Sequence, residues 1–153
     1  MMDRLMLIVR IADEIVALPS AAIESVVEIE TMGQVPLAPP HVAGLAALRS
    51  RVVTIIDPRA VLGIAPAEIA TALPFSAVVV TIDGHPYGIM VDEVLDVLEA
   101  DGPPRRANGL GASRWQAVAT GTVIIADRQH LLIDPAALIV GGGMLPILPA
   151  AAC

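Results

Sequence analysis

The residues able to do chemistry in this chain are few, and their spacing does not suit catalysis. The histidines are His41 in a Pro-rich loop, His85 at a hairpin turn, and His130 beside Gln129 at a strand start. None has a second histidine or a carboxylate at H-x-H or H-E-x-x-H spacing, which would bring two ligands to one side of a strand or helix. Ser20, Ser25, Ser50, Ser76 and Ser113 lack the G-x-S-x-G frame that exposes a nucleophile on a tight strand-to-helix turn. Gly109-Leu110-Gly111 has neither the lysine nor the preceding strand of a phosphate loop. One set could assemble in principle: Asp92, Glu93 and His85, serving a small hydrolase or a ligand-binding barrel. The simpler reading is that Asp92 and Glu93 mark a strand end and Asp57 caps a helix. Cys153 is the single cysteine, so an internal disulfide and a cysteine-based metal site are both excluded. No catalytic residue, no metal and no cofactor is expected.

Composition points toward binding. Hydrophobic residues make up 56% of the chain and charged residues 16%, so a packed core is expected rather than disorder. Phe75, Tyr87 and Trp115 are the only aromatics, leaving Val, Ile, Leu, Ala and Met to build that core. The net charge is −7, and the nine fixed positive charges are all Arg and scattered, which disfavours nucleic acid as a partner. Charges interrupt residues 1–10, unlike the apolar region of a signal peptide. The uncharged stretch 135–153 contains Gly141, Gly142, Gly143, Pro146 and Pro149, so it is no membrane-spanning helix. A cytoplasmic protein without membrane insertion is expected. Abundant apolar residues with little converging polarity suit a protein–protein surface.

The elements that must position any such surface are mostly strands. Residues 5–11 and 15–18 read as a hairpin. Residues 21–30 set Ile23, Val26, Val27 and Ile29 among Glu24, Glu28 and Glu30; their β-branched content favours a strand, although the 23/26/27 spacing also fits a helix. Residues 32–40 form a loop and 52–56 a buried strand. At Asp57-Pro58 a short helix begins, since Asp is a good N-cap and Pro at the first helical position has no amide hydrogen to leave unpaired. Residues 66–74 form a linker with some helical content. Residues 77–82 and 87–91 flank the hairpin turn Asp83-Gly84, and Val94, Leu95, Val97 and Leu98 extend the sheet. A loop follows at 102–111, then short strands at 117–119, 123–126 and 131–133, and Asp134-Pro135 repeats the strand-to-helix device.

That repetition extends further. Val9-Arg10-Ile11 lies over Val80-Thr81-Ile82 at a shift of 71, which also places Val16 on Tyr87, Leu18 on Ile89, Ile23 on Val94 and Val26 on Val97. Ile56-Asp57-Pro58 matches Ile133-Asp134-Pro135 at a shift of 77. Each half offers about five strands in the same order. The fold expected is all-β with short helices: two five-stranded barrels, pseudo-duplicated, closed to remove exposed edges and packed on each other because each core is small. The expected division is one domain over 1–140, with barrels at about 10–73 and 74–140 and strand exchange possible at the ends. Residues 141–153 are expected to form an apolar, flexible tail.

Residues 42–63 resemble the most characteristic segment of CheW-like domains, through Gly44, Leu48, Arg49, Val52, Ile56, Asp57 and Leu62. Residues 88–97 resemble the family's Gly-x-x-Val-Asp-x-Val-x-x-Val segment, through Gly88, Val91, Asp92, Val94 and Val97. The resemblance covers residues 4–140 or so. It implies two SH3-like barrels around a shared core, and a non-enzymatic chemotaxis adaptor. The partners implied are the cytoplasmic tip of a chemoreceptor, bound in a groove between the barrels, and the regulatory domain of the histidine kinase CheA, in membrane-associated arrays. A non-flagellar chemosensory pathway, such as twitching motility, is the alternative setting. Carried residue by residue, it marks Ile23, Val26, Gly44, Leu45, Leu48 and Arg49 as receptor- or kinase-binding. Asp57, Pro58, Gly88, Asp92, Val94, Asp134 and Pro135 are then structural. Ala47 stands where the family usually has Asn, and Ser50 where it has Gly; if Ser50 must take a positive φ, Arg49 is presented differently.

Overall fold

The computed structural model describes residues 4–64, 73–106, 115 and 118–140. Four hairpins make up most of it. Strands β1 (Leu5–Ile11) and β2 (Glu14–Pro19) meet at Ala12-Asp13, with φ of 52° and 69°. Strands β6 (Phe75–Ile82) and β7 (His85–Val91) meet at Asp83-Gly84, with φ of 51° and 82°. Strands β9 (Ala119–Ile125) and β10 (Arg128–Ile133) meet at Ala126-Asp127, with φ of 51° and 64°. Positive φ at both central residues is what a type I′ turn demands, and its twist matches that of the strands. The fourth hairpin, β4 (Val42–Leu48) with β5 (Arg51–Ile56), turns at Arg49-Ser50. Strand β3 (Ser25–Ile29) follows the β1–β2 hairpin and β8 (Glu93–Glu99) follows the β6–β7 hairpin. Each Ile-Asp-Pro opens a short helix, α1 (Pro58–Val61) and α2 (Pro135–Val140). The Asp57 carboxylate accepts from the Arg59 amide at 3.0 Å, and the Asp134 carboxylate from the Ala136 amide at 3.0 Å.

The strands form two five-stranded sheets, ordered β8-β1-β2-β10-β9 and β3-β6-β7-β5-β4. We call these the terminal barrel and the central barrel. Both are SH3-like and they are related by the repeat. Replacing β1, β2, β8, β9 and β10 by β6, β7, β3, β4 and β5 turns one order into the other. Register is kept as well: Leu7 pairs with Val97 and Val78 with Val26, while Leu132 runs parallel to Ala17 and Ile55 to Gly88. The barrels are not the two halves of the sequence, however. The central barrel takes β3 to β7 and the terminal barrel takes the rest, so a division at 73/74 is replaced by a full exchange of hairpins. The physical reason is that each half's opening hairpin finds its long-range partners in the other half. Strand β4 is also added to the sequence reading; residues 21–29 resolve into a 3-10 turn at Ser20–Ala22 and then β3.

Closure depends on two glycines. After β3 the chain returns to the free edge of β4, where Gly33 and Leu45 exchange two backbone hydrogen bonds of 2.8 Å. After β8 it returns to β9, where Arg105 and Thr122 do the same at 2.8 Å. Beside each contact sits a buried glycine. A Cβ on Gly44 would lie 2.4 Å from the Gly33 carbonyl oxygen, and one on Gly121 would lie 2.2 Å from the Arg105 oxygen. No side chain fits there, so the closing strand can approach only a glycine.

Strand alternation then sorts the core. Leu7, Val9 and Ile11 of β1 point between the barrels with Leu18, Val80 and Ile133, whereas Met6 and Ile8 point into the terminal barrel with Val123 and Leu132. The central barrel is filled likewise by Ile29, Val53, Ile55 and Met90. Burial on both faces explains why these strands read as continuous apolar runs.

Candidate functional site

The seam of the central barrel, between β3 and the β4–β5 hairpin, is open on either side of the Arg49 turn. A groove of ≈ 550 Å³ runs between residues 24–27 and residues 48–51, and a second recess of ≈ 240 Å³ continues between residues 28–31 and 46–48. Val26 is 43% exposed at the first groove, and Val52 is 51% exposed on the neighbouring strand. The charges are ordered along the seam. Glu28 and Glu30 line the recess, while Arg49 and Arg51 line the groove. Arg51 is engaged by Glu24, whose second oxygen accepts from the Thr81 hydroxyl at 2.6 Å. The Thr81 bond, then Arg51, hold the Glu24 carboxyl below its usual range. Among the described residues Arg49 makes no ion pair.

Arg49 is presented by backbone geometry. It adopts φ 57°, the left-handed region that costs a branched-off side chain about 1 kcal/mol, and Ser50 stays on the ordinary side. The replacement of Gly by Ser at position 50 is therefore not where the strain falls.

Of the six residues marked for binding, the structure gathers Val26, Leu48 and Arg49 along one groove. Ile23 is half-buried against the shared core, and Leu45 is half-buried on β4 with its backbone committed to Gly33. Gly44 lies inside the closure, which is a packing position rather than a contact surface. Val94 packs on the shared core, and Pro58 and Pro135 are buried at the helix starts. Gly88 is tightly enclosed, with a Cβ position 3.0 Å from Ile55 Cδ1; its equivalent Ala17 finds room in the other barrel. Asp92 sits 3.5 Å from the Arg59 guanidinium and accepts from the Asp13 amide at 3.3 Å, joining the first turn to α1. Sequence reasoning missed Gly121, Glu24, Arg51 and Thr81. The shift of 77 from Gly44 pointed directly at Gly121.

The remaining polar residues do not converge. Glu93 pairs with Arg10, Asp92 is held as above, and His85 shares a 2.8 Å hydrogen bond with the Thr54 hydroxyl while its ring meets Tyr87 edge-on at 4.8 Å. His41 is buried and donates from Nε2 to the Ile139 carbonyl at 3.0 Å, fastening the β3–β4 loop to α2. Burial lowers the pKa of both His41 and His85, in His41 against the upward pull of that carbonyl. Among the described residues no group of His, Cys, Asp and Glu is placed to hold a metal ion. No described helix is long and apolar enough to cross a membrane.

Two intertwined SH3-like barrels around one shared core define an all-β protein of two-barrel architecture. The CheW-like domain matches residues 5–141, and the chain belongs to that family, one of chemotaxis scaffolds and adaptors rather than enzymes. The crystal structure of the scaffolding protein TtCheW from Thermoanaerobacter tengcongensis superposes with a TM-score of 0.78 at 20% sequence identity, covering 95% of this chain and 98% of that one. No curated protein sequence matches the chain.

Proposed function

We propose that this protein couples the cytoplasmic tips of chemoreceptors to the histidine kinase CheA by equilibrium binding, without chemistry of its own. The observation that carries the reading is the groove at the open seam, which brings Val26, Leu48 and Arg49 together in a chain of this family. An exposed valine, an apolar wall and an arginine on a strained turn supply both an apolar anchor and a directed charge. The terminal barrel offers a second surface, where Val97, the repeat counterpart of Val26, is 50% exposed beside Leu98 and Leu95. Two partners can therefore be held at once, as coupling requires. The working place is the cytoplasmic face of receptor arrays.

The test is a pull-down of the folded protein with receptor tips and with the CheA regulatory domain. Binding to both is expected, and binding to neither would sink the reading. Arg49→Glu is expected to lose receptor binding by tenfold or more, about 1.4 kcal/mol, with an unchanged melting temperature. If the variant melts much earlier than wild type, Arg49 is structural instead.

A further inference from the structure

Among the described residues, every strand pairing that joins one hairpin to the rest of a sheet also joins residues 4–64 to residues 73–140. Within 4–64 only β1–β2 and β4–β5 pair, with the Gly33–Leu45 bridge. Among the described residues of 73–140 only β6–β7 and β9–β10 pair, with the Arg105–Thr122 bridge. The other pairings, β1–β8, β3–β6, β5–β7 and β2–β10, each take one strand from either side. A lone two-stranded hairpin is at best marginal in water, so neither half has a sheet able to stand by itself. The shared core is divided in the same way. Leu18 and Ile56 come from the first half, Ile89 and Ile133 from the second, and all are fully buried together.

None of these contacts requires the two halves to belong to one chain. Residues 65–72 separate them in sequence, and eight residues reach about 26–29 Å when extended. Covalent linkage gives each half a high effective concentration of its complement. A second copy of the chain carries the same complement, and the balance between the two depends on protein concentration during folding.

We propose that two copies of this chain exchange halves, residues 4–64 of one assembling with residues 73–140 of the other, to form a dimer of two complete two-barrel units. The exchange is closed and symmetric, so it stops at two copies. Each unit carries its own Arg49 groove, which makes the dimer bivalent. Return to the monomer requires breaking all four cross-half pairings, so dimer formed at high concentration outlasts dilution.

Full-length chains carrying Ile56→Asp or Ile133→Asp test this. The two positions are equivalent in the repeat and both side chains are fully buried, so each variant has one disabled half. Neither is expected to unfold cooperatively or to show the blue-shifted emission of buried Trp115. Mixed in denaturant and refolded together at high concentration, they are expected to yield a two-chain species with a cooperative melt. That species combines the intact first half of the Ile133→Asp chain with the intact second half of the other. A mixture that stays unfolded overturns the proposal, as does cooperative folding of either variant alone. Wild-type chain refolded at rising concentration should give a growing two-chain fraction by light scattering; a monomer at every concentration is equally fatal.

Discussion

The terminal and central barrels share strand order and register, and they differ at their seams. In the terminal barrel the chain after β8 is stitched to β9 twice, once by the Arg105–Thr122 bridge and once by the Asp101 amide donating to the Ile124 carbonyl at 2.8 Å. In the central barrel the Gly33–Leu45 bridge has its counterpart, but among the described residues no bond to Ala47, the repeat equivalent of Ile124, matches the second stitch. The recess and groove lie along that unstitched length. The hairpin tips differ too. Ala126 and Asp127 both take positive φ, whereas at the central tip only Arg49 does. The same scaffold occurs twice, and one seam carries a further hydrogen bond where the other has an opening beside a charge.

The largest expected effects test the part the barrels share. Gly44→Ala and Gly121→Ala each drive a Cβ into a carbonyl oxygen of the closing strand, and both should cost about 2–4 kcal/mol in chemical denaturation. A neutral result at either glycine would mean that its barrel closes differently. Next is a buried position that the barrels do not share. The Tyr87 hydroxyl is buried with no hydrogen-bond partner among the described residues, whereas its equivalent Val16 carries no polar atom to satisfy. Tyr87→Phe is expected to stabilise the protein by about 1 kcal/mol; a loss of stability would show that the hydroxyl is paired. Smaller still, Arg49→Gly should relieve the left-handed turn by about 0.5–1 kcal/mol while weakening receptor binding. If binding survives, the arginine is not the contact that distinguishes this seam.

The smallest effect is a pH dependence. Burial depresses His41 and His85 below the ordinary value of 6.5. Below that value the unfolded chain takes up protons that the folded one refuses, so their contribution is full above 6.5 and falls as pH drops toward the folded pKa values. The melting temperature should therefore decline between pH 7 and 5, and less steeply in a His41→Gln variant. An identical slope in the variant would exclude His41 as a source.

Much of the fold was legible in the residues. Asp83-Gly84 announced its turn, each Asp-Pro its helix start, and the shifts of 71 and 77 a duplicated architecture. Strand β4 was harder to read, because Ala43, Gly44, Ala46 and Ala47 are poor strand formers that become a strand only when flanked by β5 and Gly33. The role of Gly44 was hidden for the same reason, since a close approach is made by two segments and written in neither. At the site, Arg49 was marked by its motif, whereas Glu24, Arg51 and Thr81 were not, because ion pairs and hydroxyl contacts across strands leave no spacing pattern in one chain.

By itself the sequence determined the local elements: hairpins, caps, apolar faces and the fact that all of these occur twice. Those depend on side chains within a few residues of each other. Tertiary structure alone decided that each hairpin pairs across the halves, because backbone hydrogen bonds are the same for every residue and two similar repeats offer similar edges. It also decided that Val26 meets Leu48 and Arg49 along one groove. Their strands stand at opposite ends of the sheet order and come together only because the sheet curls into a barrel.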